Sequence, residues 1–177
     1  MATSSMRRRP AATEYAAYYE TYVSKVPESD VVAVLDEQLA ATLALVGGIP
    51  EAKGEFRYAP DKWSVRQLIG HVIDSERVFS YRALRIARGD TTPLAGFDQE
   101  VFMAGADFDA YSLEELAAEF GHVRRATLSF LAHLRDDAWS RTGVASDSEV
   151  SVRGLAYIMA GHVRHHMGIL ESRYLAR

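Results

Sequence analysis

Residues 160–167 read Ala160-Gly161-His162-Val163-Arg164-His165-His166-Met167. They sit in a longer segment where Val152, Leu155, Met159, Val163 and Leu170 recur at three-, four- and seven-residue steps. That spacing gathers apolar side chains on one face of an α-helix, and it predicts a helix that starts after Ser151 and runs to about Tyr174. On this helix His162 and His166 point within about 40° of each other. Both fall on or beside the apolar side, where neutral imidazoles need polar partners. A single metal ion meets that need, because the spacing lets two rings reach one ion. Two hydrogen-bonded core histidines meet it equally well. His165 lies about 60° from His162 and reads as a group behind the ligands or a substrate contact.

Three further segments carry the same periodicity. One spans about Asp30 to Val46, with Val31, Val32, Leu35, Leu39 and Leu43 in phase; Pro27 and Ser29 precede it and Gly47-Gly48 stops it. Another opens on the capping-box pattern Ser64-Val65-Arg66-Gln67, flanked by Trp63 and Leu68 as a hydrophobic staple, and ends near Arg88-Gly89. A third opens on Ser112-Leu113-Glu114-Glu115 and continues to about Leu134. Four such helices predict an all-α four-helix bundle. A shorter aromatic piece, Glu14 to Tyr22, is expected to pack across it. Residues 90–111 and 135–150 form two long connections, of the kind that often carry function, with at most a short ribbon in 140–150.

The helix that begins at Ser64 contributes His71, in Gly70-His71-Val72-Ile73-Asp74-Ser75-Glu76-Arg77, beside an apolar side built by Leu68, Val72 and Phe79. Ser75 and Arg82 fall near the same line, one and three turns onward. Asp74 lies about 60° to the other side, and Glu76 about 140° from His71. Glu76 reads either as a buried ion pair with Arg82, Arg124 or Arg125, or as a carboxylate that orients a ligand. Asp98, in the first long connection, reads as a solvated carboxylate on a loop that could close over a metal. His122 and His133 read as surface residues. Three imidazoles with open coordination positions would make a Lewis-acid centre. Nitrogen ligation suits zinc or nickel first, with iron, manganese and copper as alternatives.

Composition narrows the function classes. The chain has 177 residues, 48% apolar and 25% charged, which fits one domain over 12–177 behind a disordered tail at 1–11. The tail has arginines but no apolar run behind them, so it does not read as a secretory signal. A net charge of −4 gives no electrostatic reason to expect nucleic acid or an anionic membrane. The absence of cysteine excludes disulfides, thiolate metal sites and a cysteine nucleophile. It also suits a cytoplasmic location, and no stretch approaches the roughly 20 apolar residues of a membrane span. A homodimer is expected on general grounds for a bundle of this size.

The stretch Tyr58-Ala59-Pro60-Asp61-Lys62-Trp63-Ser64, the segment Gly70 to Arg77, and Ala160 to His166 together resemble the DinB superfamily, in particular its YfiT-like branch. The resemblance spans roughly residues 12–175. It implies a bundle with up-down-down-up connectivity and a divalent metal held by His71, His162 and His166. It also implies an activity, since members are described as metal-dependent hydrolases and several as thiol S-transferases. The favoured expectation is a metal-dependent S-transferase that joins a low-molecular-weight thiol (bacillithiol, mycothiol or glutathione) to an electrophile. One alternative is a metal-dependent hydrolase in which Asp74 or Glu76 accepts a proton. Another is a non-catalytic metal-binding stress-response protein. His165 and Arg82 are candidate contacts to the ligands or the substrate.

Overall fold

The structure, a computed structural model, describes residues 5–176. Helices α1 (Glu20–Val23), α2 (Val31–Gly47), α3 (Val65–Ala87), α4 (Gln99–Gly105), α5 (Leu113–Ala132) and α6 (Val152–Ile169) follow one another, with a hairpin β1 (Thr142–Ala145) and β2 (Ser148–Ser151) before α6. The long helices start where local chemistry says they should. The Asp30 carboxylate accepts the amides of Val32 and Ala33 at the head of α2. Ser64 and Ser112 form complete capping boxes with Gln67 and Glu115. Ser151 accepts the Gly154 amide at the head of α6. Each cap satisfies amides that have no partner within the helix.

Side-chain pairs fix the helix directions. Ser64 meets Asp109, Arg77 meets Glu119, and Arg88 lies over Phe130; positions rise together, so α3 and α5 are parallel. Tyr174 meets Trp63, His166 meets His71, and His162 meets Phe79, so α6 runs against α3. Glu51, just beyond α2, meets Leu113, while Leu35 meets Arg124, so α2 runs against α5. The order is up-down-down-up.

Parallel neighbours cannot be joined by a tight turn. The chain leaving α3 must travel back about 35 Å, the length of a 23-residue helix. The expected structureless stretch at 90–111 therefore holds α4 and a 3-10 turn at Phe108–Ala110. Asp98, expected as a solvated loop carboxylate, caps α4 by accepting the amides of Glu100 and Val101 at 2.8 and 3.3 Å. The hairpin pairs Thr142 with Ser151 through Ala145 with Ser148. Its two-residue turn, Ser146-Asp147, has φ of 51° and 59°, the left-handed pair that a tight hairpin needs. Leu94 makes a single parallel bridge to Ala145 at the edge of this hairpin.

Residues 1–4 of the expected tail lie outside the described residues. In the rest of it Ser5–Arg7 forms a 3-10 turn, Pro10 is buried while Arg8, Arg9 and Ala11 are exposed, and the Tyr157 hydroxyl donates to the Arg7 carbonyl. Glu14 then accepts from Arg153 at 2.6 Å twice and from Ser151 at 2.8 Å, which fastens this segment to the start of α6. No helix among the described residues is long and apolar enough to cross a membrane.

Candidate metal centre

His71 projects from α3, and His162 and His166 from successive turns of α6, all three buried. Three features bring them together. The helices are antiparallel, so residues near the start of α3 face the second half of α6. Beyond Ile169 the last helix continues as a wider i→i+5 helical stretch, Leu170–Leu175. There the Tyr174 hydroxyl donates to the Trp63 carbonyl at 2.8 Å, which pins that end of α6 to the head of α3. Finally, Gly161 sits where α1 crosses α6, and any Cβ there would run into the Tyr22 carbonyl. The missing side chain lets Tyr22 stand edge-on to His162 and His165, with ring centroids 5.2 and 5.4 Å apart.

The Nε2 atoms of His71 and His162 are 3.1 Å apart. One nitrogen from each of His71, His162 and His166 lies within 4.8 Å of the others. Two nitrogens on one tetrahedral ion, at 2.0–2.1 Å from it, would be about 3.3 Å apart. Nε2 of His166 is buried and makes no hydrogen bond to any described residue. A buried imidazole nitrogen without a partner costs free energy, and an ion between the three rings removes that cost. Protonation does not compete with an ion near neutral pH. Burial drives His71 down to about 4 and His166 down to about 3. His162 is lowered by burial and then by the neighbouring imidazoles. All three present neutral nitrogen, and the donor set fits a divalent metal of intermediate softness.

A cavity of about 240 Å³ opens onto His71 and His162. Rings of Tyr18, Tyr19, Tyr22, Phe79 and Phe97 wall it, and Ser75, Gln99 and Ser146 supply polar side chains. A second opening, of about 190 Å³, reaches His166 from the other side between Trp63, Tyr174, Lys62 and Glu100.

The other sequence candidates fall in different places. His165 is half-buried beside His166, with ring centroids 5.0 Å apart. Asp74 and Glu76 do not line the cavity at His71 and His162. Burial raises the Asp74 carboxyl, and Asp74 accepts from Arg77 at 3.3 Å. Glu76 accepts from Arg124 through both oxygens, at 2.6 and 2.7 Å. Arg124 is therefore its partner among the three arginines considered. Arg82 is buried beside the cavity, bonded to the Ala95 carbonyl and the Ser146 hydroxyl. His122 and His133 are exposed. The aromatic wall was not read from the sequence, although Tyr15, Tyr18, Tyr19 and Tyr22 recur at helical steps, a spacing that marks one face.

A family model described as the DinB superfamily matches residues 35–170. The chain belongs to the DinB superfamily. Among its relatives is the "Putative metal-dependent hydrolase OB0413" of Oceanobacillus iheyensis, 25% identical over 160 residues, which cover 89% of this chain and 82% of that one. The solved YfiT of Bacillus subtilis, described as a probable metal-dependent hydrolase with an unusual four-helix-bundle topology, superposes with a TM-score of 0.72. It is 16% identical, with 91% of this chain and 89% of that one covered. A mycothiol-dependent maleylpyruvate isomerase shares the fold at a TM-score of 0.65 and 12% identity, over 86% of this chain and 62% of that one. In this DinB protein, then, the fold and a buried three-histidine cluster occur together, and a relative carries a metal-dependent name.

Proposed function

We propose that this DinB protein is a metal-dependent hydrolase of small carbonyl compounds, with zinc or nickel held by His71, His162 and His166. The observation that carries the reading is the unpartnered, buried Nε2 of His166 beside two more imidazole nitrogens at ligand spacing. The names of the relatives support hydrolysis ahead of the thiol transfer expected first. When bound, a divalent ion supplies Lewis acidity, which polarises a carbonyl and acidifies water. The aromatic walls shape a cavity for a small substrate. The Tyr18 and Tyr22 hydroxyls are 3.3 Å apart at its edge. Burial first, then the hydrogen bond with Tyr18, holds the Tyr22 phenol far above the usual range. It stays protonated and can donate to a substrate oxygen. Asp74 and Glu76 are given no proton-transfer role, because neither lines this cavity.

The test uses protein purified without an affinity tag and loaded with zinc or nickel, assayed on short-chain 4-nitrophenyl esters and anilides. Hydrolysis that disappears in His162→Ala and on chelation is expected. A rate equal to that of the metal-free protein on every compound removes the reading. The second reading, thiol transfer, is favoured by the shared fold of the mycothiol-dependent isomerase. It requires that mycothiol, bacillithiol or glutathione be consumed with chlorodinitrobenzene faster than without metal.

A further inference from the structure

Ser75 stands in the middle of α3, where alanine would be the better helix former. A helical serine or threonine is commonly satisfied by turning its hydroxyl back onto a carbonyl of the preceding turn. Ser80, Thr127 and Ser172 do this, donating to the carbonyls of Arg77, Val123 and Gly168. Ser75 does not. It is 1% exposed, its hydroxyl bonds to no described residue, and that oxygen is not sealed within the packing. A buried hydroxyl without a partner costs free energy, so the fold itself gains nothing from this group.

The place where the oxygen emerges gives it a use. Ser75 lines the cavity over His71 and His162. His71 precedes it by one turn of α3 and Phe79 follows it by one, each about 6 Å along the axis. The three stand in line on one face, and Phe79 lies edge-on to His162 with ring centroids 5.9 Å apart. A molecule seated along that line meets an imidazole, a free hydroxyl and a phenyl ring in turn. Other polar groups of the cavity are partly spent. Tyr18 and Tyr22 share a hydrogen bond, Ser146 accepts from Arg82, and Gln99 donates to Glu100. The Ser75 hydroxyl keeps both its proton and its lone pairs free. Among the described residues, no Asp, Glu, Lys or Arg side chain lines this cavity, so its lining suits an uncharged molecule.

We propose that Ser75 determines specificity at the histidine centre: its hydroxyl is satisfied by the substrate, a small neutral amide whose N–H it accepts. The Tyr22 phenol, held protonated, is a donor for the amide oxygen, which leaves the Ser75 oxygen as the acceptor for the amide nitrogen. An ester or a ketone of the same shape has no N–H to give. The assignment rests on the hydrolytic reading of that centre and narrows it from carbonyl compounds in general to amides.

Binding is measured by NMR titration of the zinc-loaded, full-length protein with propionamide and butanone, which differ only in an amino group against a methyl group. The wild type is expected to bind propionamide at least about fivefold more tightly than butanone. Ser75→Ala is expected to lose that preference through weaker propionamide binding, with butanone binding and zinc content unchanged. Its melting temperature should not fall, because the hydroxyl has no partner in the protein to lose. Equal binding of the two probes by the wild type, or no binding of propionamide, overturns the proposal and needs no variant to fold. So does an undiminished preference in Ser75→Ala, or a lowered melting temperature, which would show the hydroxyl engaged within the fold. Hydrolysis of the 4-nitrophenyl ester and anilide is followed separately. A Ser75-dependent preference without any hydrolysis would sustain the contact and remove the hydrolase reading. Metal-dependent hydrolysis without the preference would do the reverse.

Discussion

The Nε2 atoms of His71 and His162 approach to 3.1 Å, which for two neutral rings means that one donates and the other accepts. An ion held there would replace that single shared proton with a bond to each ring, and the unpartnered Nε2 of His166 would be available as its third nitrogen ligand. Elemental analysis should find about one ion per chain in the wild type and little in His71→Ala, His162→Ala or His166→Ala. Chelation should lower the melting temperature of the wild type, because an ion that binds only the folded state stabilises it by mass action.

Glu14 gives the acid limb of stability a definite sign. Burial alone would raise its pKa, but hydrogen bonds from Arg153, the Ala11 amide and Ser151 outweigh burial and leave it below 4.5. With the folded value depressed, the unfolded chain takes up the proton first as pH falls. The stabilisation is present above about pH 4.5 and is lost as pH drops through the folded value. Denaturant melts should show Glu14→Gln less stable by about 1–3 kcal/mol at pH 7, with the difference shrinking toward pH 3.

Two glycines on α6 should respond in opposite directions to alanine. Gly161→Ala drives a methyl group into the Tyr22 carbonyl and should cost about 1–3 kcal/mol. It should also weaken metal binding, because α1 must lift from His162. At Gly168 a methyl group would stand with nothing within 4 Å, so Gly168→Ala should stabilise by about 0.5–1 kcal/mol. Thermal melts of the pair separate close approach from helix propensity.

The ion pair of Glu76 and Arg124 is buried on both sides, at 2% and 0% side-chain exposure. Arg124 also donates to the Leu35 carbonyl at 2.9 Å and to Gln38 at 3.2 Å. Glu76→Gln or Arg124→Met alone should cost about 3–5 kcal/mol, because each leaves a charge or a donor unmatched. The double variant Glu76→Leu with Arg124→Met should recover part of that loss. Urea midpoints check both statements.

Helix starts were legible because they depend on neighbours in the chain: Asp30, Ser64, Ser112 and Ser151 each cap within three residues. The His162–His166 pair was legible for the same reason, since helical phase is local. The meeting of His71 with that pair was not. It depends on the antiparallel run of α3 and α6 and on the Tyr174–Trp63 tie, contacts across about a hundred residues of chain that no local pattern records. α4 is hidden within the long connection because its seven residues are too few for periodicity to register. The role of Gly161 likewise appears only once α1 lies across it.

His71 and His162 are 91 positions apart, and the second lies in a helix synthesised long after α3. No metal can be gripped by all three imidazoles until synthesis has passed residue 166 and that helix has docked against α3. Metal loading would thus report the docking of α6 on α3, and a chain truncated before α6 would carry His71 without His162 and His166.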